Sequence, residues 1–89
     1  MKKRERLEVI HDILRIIAEH GNSIKPTPLL RYSNLSSERF AEYIGELLAK
    51  GFVREIEAKG KRFLTLTDKG ALYVQKYRAI SEFIDEFDL

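Results

Sequence analysis

The sequence predicts a small α+β domain that is mostly α-helical, and three observations lead to this fold class. The chain has 89 residues, so it is expected to form one domain with a modest core. Apolar residues recur at helical spacing in several segments, whereas one stretch near the middle is rich in β-branched and aromatic residues. No linker, internal repeat or low-complexity tract interrupts the chain, which favours one cooperative unit.

The distribution of charge is more informative than the net charge. The 16 Lys and Arg exceed the 14 Asp and Glu by only two, which is too little to indicate nucleic-acid binding by itself. Residues 1–79 contain all 16 basic residues and ten of the acidic ones, for a net charge of +6, whereas residues 80–89 carry −4. The basic body would attract a polyanion, although such charge blocks are also common on ordinary solvated surfaces.

Several function classes lack the residues that they need. The chain has no cysteine, which excludes disulfides and thiolate chemistry and suits the cytoplasm, where we expect the protein. Its apolar runs are at most four residues long, far below the ~20 of a membrane span, and the amino end lacks the apolar block of a secretory signal. We find no catalytic motif and no sign of a cofactor or small-molecule effector, so we expect a protein that is not an enzyme.

The two histidines also fail to predict a metal site. His11 and His20 lie nine positions apart on one predicted helix, so they do not share a face at the spacing that a metal ion requires. We therefore expect both to be structural and expect no bound metal.

The first half of the chain predicts two helices. The first runs from about residue 4 to residue 20, and Gly21 with Asn22 ends it. A second helix of about two turns follows, with Thr27 as its cap and Pro28 in its first turn. The apolar face of the first helix is predicted to contain Leu7, Val9, Ile10, Ile13, Leu14, Ile16 and Ile17.

A third helix is predicted from about residue 37 to residue 50, with Ser36 as its N-cap and Gly51 at its end. Together with the second helix and the tight connection at 34–36, it forms a helix-turn-helix arrangement. Its apolar face is predicted to contain Phe40, Ala41, Ile44, Leu47 and Leu48. Its outward face is predicted to contain Glu38, Arg39, Glu42, Gly45, Glu46 and Ala49.

Residues 52–89 predict a β-hairpin and a last helix. Strands at 52–56 and 62–66 are joined by a connection that contains Gly60, and Ile24 is expected to add a third short strand. Thr67 can cap the last helix, whose apolar residues recur at spacings of 4, 3, 4 and 3. This narrow seam predicts a homodimer through a coiled coil of Tyr73, Tyr77, Ile80, Ile84 and Phe87.

Two phrases carry a resemblance to a known family. They are Glu46-Leu47-Leu48-Ala49-Lys50-Gly51-Phe52-Val53 and Phe63-Leu64-Thr65-Leu66-Thr67-Asp68-Lys69-Gly70. With the element order, they resemble winged helix-turn-helix DNA-binding proteins, most of all small archaeal regulators such as the ten-kilodalton Sulfolobus family, which dimerises through an antiparallel coiled coil. The resemblance covers about residues 5–75 and, more weakly, 71–89, where about two heptads replace the three or four of a confident coiled coil.

This resemblance implies a three-helix core, a β-hairpin "wing" and a long C-terminal helix. It divides the chain into a winged helix-turn-helix domain at 1–70 and a dimerisation arm at 71–89. Duplex DNA is the expected partner, read by a helix in the major groove and held through phosphates. Arg39 is the strongest candidate because it can pair with guanine or with phosphate. The full set of predicted DNA-binding residues is Lys25, Arg31, Ser36, Ser37, Arg39, Glu42, Tyr43, Lys59, Lys61 and Arg62.

One feature of the third helix opposes this interpretation. Glu38, Glu42 and Glu46 lie four residues apart and would form an acidic ridge on the face that should meet phosphate. The ridge could instead receive a basic partner in a protein-interaction module, or a glutamate could accept a hydrogen bond from cytosine. Basic residues 2–6 allow two interpretations as well, a frayed helix start or an arm that binds a polyanion.

Overall fold

The computed structural model describes residues 6–89, which form four helices and a two-stranded antiparallel sheet. The predicted class, mostly α-helical with a three-helix core, a hairpin and a long last helix, is confirmed. The elements in order are α1 (Arg6–Glu19), α2 (Pro26–Ser33), α3 (Ser37–Ala49), β1 (Val53–Ala58), β2 (Lys61–Leu66) and α4 (Asp68–Glu86). Predicted features of residues 1–5, including most of the basic 2–6 segment, lie outside the described residues.

Helix α1 is the centre of the core and packs against α2, α4 and β2. Two residues that were predicted on apolar faces are exposed. Leu7 is 57% exposed because it lies in the first turn of α1, at the edge of the apolar arc. Ala41 is exposed at the corresponding edge of α3. The buried apolar residues are Val9, Ile10, Ile13, Leu14, Ile16, Ile17, Ile24, Leu29, Phe40, Ile44, Leu47, Val53, Leu64, Leu66 and Val74.

The ends of α2 and the start of α3 define the helix-turn-helix. The prediction that Thr27 caps α2 is wrong: the helix begins at Pro26, whose fixed φ suits the first helical position. Asn34 then adopts a left-handed conformation with φ of 63°, which ends α2. The Ser36 hydroxyl accepts a hydrogen bond from the Arg39 amide at 3.2 Å, so the predicted cap of α3 is confirmed.

The hairpin, which we call the wing, is longer than predicted. The pairs run from Val53 with Leu66 to Ala58 with Lys61, which leaves a turn of only two residues. Both turn residues have positive φ, 53° at Lys59 and 74° at Gly60, and such turns match the twist of a hairpin. The expected third strand is confirmed as a bridge in which Ile24 and Leu64 exchange backbone hydrogen bonds of 3.1 and 2.8 Å.

The first turn of α4 is held on the corner between α3 and β1. The Thr67 amide donates to the Phe52 carbonyl at 3.1 Å. The Thr67 hydroxyl accepts from the Gly70 amide at 3.2 Å and thereby caps α4, as predicted. The Lys69 ammonium donates to the Lys50 carbonyl at 2.7 Å and lies 4.5 Å from the centre of the Phe52 ring. The quoted sequence phrases therefore encode one packed corner.

At this corner, the backbone of α4 comes closest to the backbone of Phe52 at Gly70. A Cβ atom at this position would lie 2.2 Å from the Phe52 carbonyl oxygen, a distance that no side chain can occupy without moving backbone. Gly45 in α3 offers a contrast, because a Cβ atom there would have no neighbour within 4 Å. Packing therefore requires glycine at position 70, whereas at position 45 only helix propensity distinguishes glycine from alanine.

We predict that Gly70→Ala destabilises the protein by about 1–3 kcal/mol or more, because the added methyl overpacks the corner. Gly45→Ala is the matched control and should stabilise the protein by about 0.5–1 kcal/mol, since alanine favours the helix over glycine. Urea unfolding monitored by circular dichroism measures both changes. Equal effects of the two substitutions would contradict the close approach.

Candidate nucleic-acid interface

Helix α3 presents the predicted recognition residues at its amino end. Ser36, Ser37, Arg39 and Glu42 are exposed, and Tyr43 is half-buried against the core. The Arg39 guanidinium lies 5.9 Å from the centre of the Tyr43 ring, within reach of a cation–π contact. The Tyr43 ring thus packs partly against the core and lies beside the Arg39 guanidinium.

The wing carries exposed cations of two kinds. Arg62 is not free, because its Nε lies 2.8 Å from a carboxylate oxygen of Glu55 on the opposite strand. Lys59 and Lys61 have no carboxylate within ion-pair distance among residues 6–89. The tip of the wing therefore presents two lysines, Lys59 in the turn and Lys61 at the start of β2, whose charge is available to a polyanion.

The other predicted cations flank α2 at its two ends. Lys25 precedes the helix and Arg31 lies in its last turn, and both side chains are exposed. Tyr32 is 55% exposed beside Arg31 and its ring lies 5.1 Å from that of His20. The structure thus keeps these predicted residues accessible without bringing them into one cluster.

The predicted acidic ridge on α3 is only partly acidic. Glu46 accepts a hydrogen bond from Arg6 of α1 and another from the Lys50 ammonium at 3.0 Å. These hydrogen bonds lower the pKa of Glu46 to about 2, and the same contact raises the pKa of Arg6. Glu38 and Glu42 have no cation within ion-pair distance in the described part of the chain. The unpaired negative charge is therefore confined to the first two turns of α3.

Lys50 was missed as a candidate site residue, and Arg6 was considered only as part of the basic 2–6 segment, without its contact to Glu46. The four-residue spacing of Glu46 and Lys50 on one helix is a signal that could have been found. Arg6 lies 40 positions from Glu46, and only the packing of α1 against the rest of the core brings the two together. An open groove of about 540 Å³ lies where the start of α1 meets α3, and it is lined by Arg6, Arg39, Glu42, Tyr43 and Glu46.

The predicted dimer seam divides into two parts. Tyr73 donates a hydrogen bond from its hydroxyl to the Leu7 carbonyl at 2.8 Å, and Tyr77 stacks on His11 of α1 at 4.2 Å, so both are half-buried within one chain. Beyond them, α4 leaves the body and exposes its apolar side chains. These exposed residues are Ile80 (61%), Ile84 (42%) and Phe87 (58%), and Phe83 (56%), which the seam prediction did not include.

The histidines occupy separate places. Burial lowers the pKa of His11, whose Nε2 is buried and has no hydrogen-bond partner within residues 6–89. His20 lies at the end of α1, with its Nδ1 2.8 Å from the Ile16 carbonyl oxygen. Across residues 6–89 we find no group of three metal-ligating side chains, and no helix that could cross a membrane.

Comparison with known proteins identifies one family. A sequence model described as winged helix-turn-helix matches residues 3–85. A curated relative, an uncharacterized protein of Methanocaldococcus jannaschii, is 30% identical over 82 residues, which make up 92% of this chain. The chain spans only 36% of the length of that relative.

Solved structures share the fold at low sequence identity. Sso10a-2, a DNA-binding protein from Sulfolobus solfataricus, has a TM-score of 0.76 at 17% identity, covering 94% of this chain and 85% of its own. F93 from STIV, a winged-helix DNA-binding protein, has a TM-score of 0.75 at 21% identity, and the match covers 90% of this chain and 92% of F93. MepR, a transcription regulator of the Staphylococcus aureus multidrug efflux pump MepA, has a TM-score of 0.78 at 12% identity. The match covers 89% of this chain and 60% of MepR. The predicted winged-helix fold is confirmed.

The Glu46 cluster predicts a pH dependence of stability. Because the pKa of Glu46 falls from 4.5 in the unfolded chain to about 2 in the folded protein, its stabilising effect is present above pH 4.5. That effect should be lost as the pH falls from about 4.5 through 2. We expect Glu46→Gln to flatten the unfolding free energy against pH in this window more than Glu42→Gln does. Urea unfolding at a series of pH values tests this, and identical profiles for the two variants would contradict the cluster.

Proposed function

Because the chain belongs to the winged helix-turn-helix family, we propose that it is a transcriptional regulator that binds duplex DNA through α3 and the wing. One observation carries the proposal: α3 exposes Arg39 near its amino end, and the adjoining hairpin ends in Lys59 and Lys61, whose charges are unpaired within residues 6–89. The Sulfolobus and STIV proteins of the same fold are described as DNA-binding, and MepR as a transcription regulator, which supports this function.

The proposed contacts follow from the chemistry of DNA. A helix that enters the major groove, about 12 Å wide, reads bases through side chains at its amino end, and Arg39 can donate to guanine O6 and N7. Glu42, one turn later, can accept from cytosine N4. The hydroxyls of Ser36 and Ser37 and the cations Lys25, Arg31, Lys59 and Lys61 are placed to hold phosphates. In this arrangement Tyr43 supports Arg39. We place the protein in the cytoplasm, where its DNA would be.

We further propose that two copies assemble through the exposed part of α4. Ile80, Ile84 and Phe87, with Phe83, form an apolar surface that one chain leaves uncovered, and Tyr73 and Tyr77 continue the stripe toward the body. Basic residues lie in the first part of α4, whereas its last turns are acidic. An antiparallel pair centred near Ile80 would therefore bring Glu82 and Asp85 of one helix close to Lys76 and Arg78 of the other. Two half-sites held in one dimer raise the overall affinity for DNA without new contacts.

The second candidate function is a protein-interaction module. Glu38 and Glu42 are exposed on α3 and lack cationic partners within the part of the chain that the structure describes, so this surface could receive a basic partner. Duplex DNA would be repelled by the same two carboxylates. The dependence of duplex binding on salt separates the two functions, because phosphate contacts release counterions and protein contacts of this kind do not.

We predict that Lys59→Gln combined with Lys61→Gln weakens binding to duplex DNA and makes the log–log salt slope shallower by about 1.8, or 0.9 for each lost phosphate contact. Arg15→Gln is the control, since Arg15 lies on α1 and pairs with Glu19 at 2.9 Å. Fluorescence anisotropy with a labelled duplex measures both. If the natural protein fails to bind any duplex at low ionic strength, the DNA-binding function is wrong and the interaction module replaces it.

We predict that Ile84→Asp yields monomers, because the substitution would bury a charge in the α4 interface. Gln75→Asp introduces the same charge on the opposite side of α4 and should leave the dimer intact. Sedimentation velocity over a range of concentrations distinguishes the species. A natural protein that remains monomeric at high concentration would exclude this assembly.

A further inference from the structure

One flank of α3 is positively charged although the helix as a whole is acidic. Arg39, Glu46 and Lys50 are separated by seven and four residues, so they lie on the same side of the helix. The start of α1 adds Arg6 to this side. We call these four residues the cationic flank. It holds three cations against one carboxylate, and Glu42 adds a second carboxylate at its edge, in the same groove as Arg6 and Arg39. Sequence spacing alone assigned Glu46, the centre of the flank, to an acidic ridge.

Glu46 lies between two of these cations, Arg6 and Lys50, and is partly covered by them. Its side chain is 26% exposed, whereas those of Arg6 and Lys50 are 52% and 56% exposed. The two cations therefore cover the carboxylate and remain open to solvent on their other sides. A carboxylate is bound by arginine and lysine through the same charge-assisted hydrogen bonds that hold a phosphate.

We propose that Glu46 is a specificity-determining residue, which occupies Arg6 and Lys50 as an internal substitute for a DNA phosphate. This inference rests on the proposed DNA-binding function. A random duplex supplies phosphates that are free to slide, and these compete poorly with a carboxylate tethered on the same chain. In the complex with a preferred sequence, base contacts of α3 fix two phosphates beside the flank, one at Arg6 and one at Lys50, and these phosphates displace Glu46. The internal ion pairs thus weaken non-specific binding more than specific binding.

Glu46 differs in this respect from the other glutamates of α3. Glu42 lies one turn before it, carries the same charge and has no ion-pair partner within residues 6–89. On a random duplex, where it has no defined base to contact, Glu42 opposes DNA through its field, which added salt screens. Glu46 opposes DNA by holding two cations that would otherwise contact phosphates, and each new phosphate contact steepens the salt dependence.

The experiment compares Glu46→Gln with Glu42→Gln, which make the same change of charge one helical turn apart. A preferred duplex is first selected from a random library, and a random-sequence duplex serves as the non-specific probe. On the random duplex, Glu46→Gln should steepen the log–log salt slope by about 1.8, for two phosphates. Glu42→Gln should steepen it by less than half as much. Between 200 and 50 mM salt, this slope difference amounts to about a twelvefold gain. On the selected duplex, Glu46→Gln should leave the slope unchanged.

A reciprocal variant keeps the test independent of how well Glu46→Gln folds. Arg6→Gln combined with Lys50→Gln should leave the slope on the random duplex unchanged, because these cations do not contact its phosphates. On the selected duplex, the same variant should have a log–log salt slope that is shallower by about 1.8, because two phosphate contacts are lost. The opposite pattern, a loss on the random duplex, overturns the inference.

The remaining outcomes separate this inference from the proposed function. If the natural protein binds duplex DNA and the two glutamine variants show equal slopes, Glu46 has no special role and DNA binding stands. If neither the natural protein nor Glu46→Gln binds any duplex, both proposals are wrong. Circular dichroism and sedimentation of each variant show that fold and assembly are retained.

Discussion

The contact between Gly70 and the Phe52 carbonyl is the constraint on which the positions of α3, the wing and α4 depend. Three elements meet there: the end of α3 at Gly51, the start of β1 and the first turn of α4. The absence of a side chain at Gly70 lets α4 seat directly on this corner, and Thr67 adds hydrogen bonds to the Phe52 and Gly51 carbonyls. A displacement at the corner would therefore change the angle between the recognition helix and the wing, and also the direction of the exposed end of α4.

Local sequence signals predicted the helices well. They did not predict the ends of the strands, which depend on pairing between segments. The cap at Ser36 and the stop at Gly51 depend on neighbouring backbone, so they could be read from the sequence. The strand ends could not, because residues 57–58 and 61 have weak strand preference and are extended only by pairing across the hairpin. Thr27 was misplaced as a cap because a preceding proline can start a helix without a side-chain cap.

The candidate site shows the same division. Exposure of Arg39, Lys59 and Lys61 follows from their positions on a helix face and a hairpin turn, and local sequence was enough to predict it. Which of the surface charges are paired was not predictable, because Arg6 and Glu46 lie 40 positions apart in the sequence. Residue spacing was ambiguous for α4. A 3–4 repeat suits packing within a chain and between chains equally, and the structure packs Tyr73 and Tyr77 within the chain.

The proposed dimer would also redistribute charge. The end of α4 carries Glu82, Asp85 and Glu86 without a compensating base in its last turns. In an antiparallel pair centred near Ile80, these carboxylates would lie close to Lys76 and Arg78 of the partner subunit and neutralise them. The cations left at the surface would then be those of the wing, α2 and the cationic flank, which are the ones assigned to phosphate. Assembly would in this way confine the positive potential to the face that meets the duplex, so the net charge of only +2 is compatible with binding a polyanion.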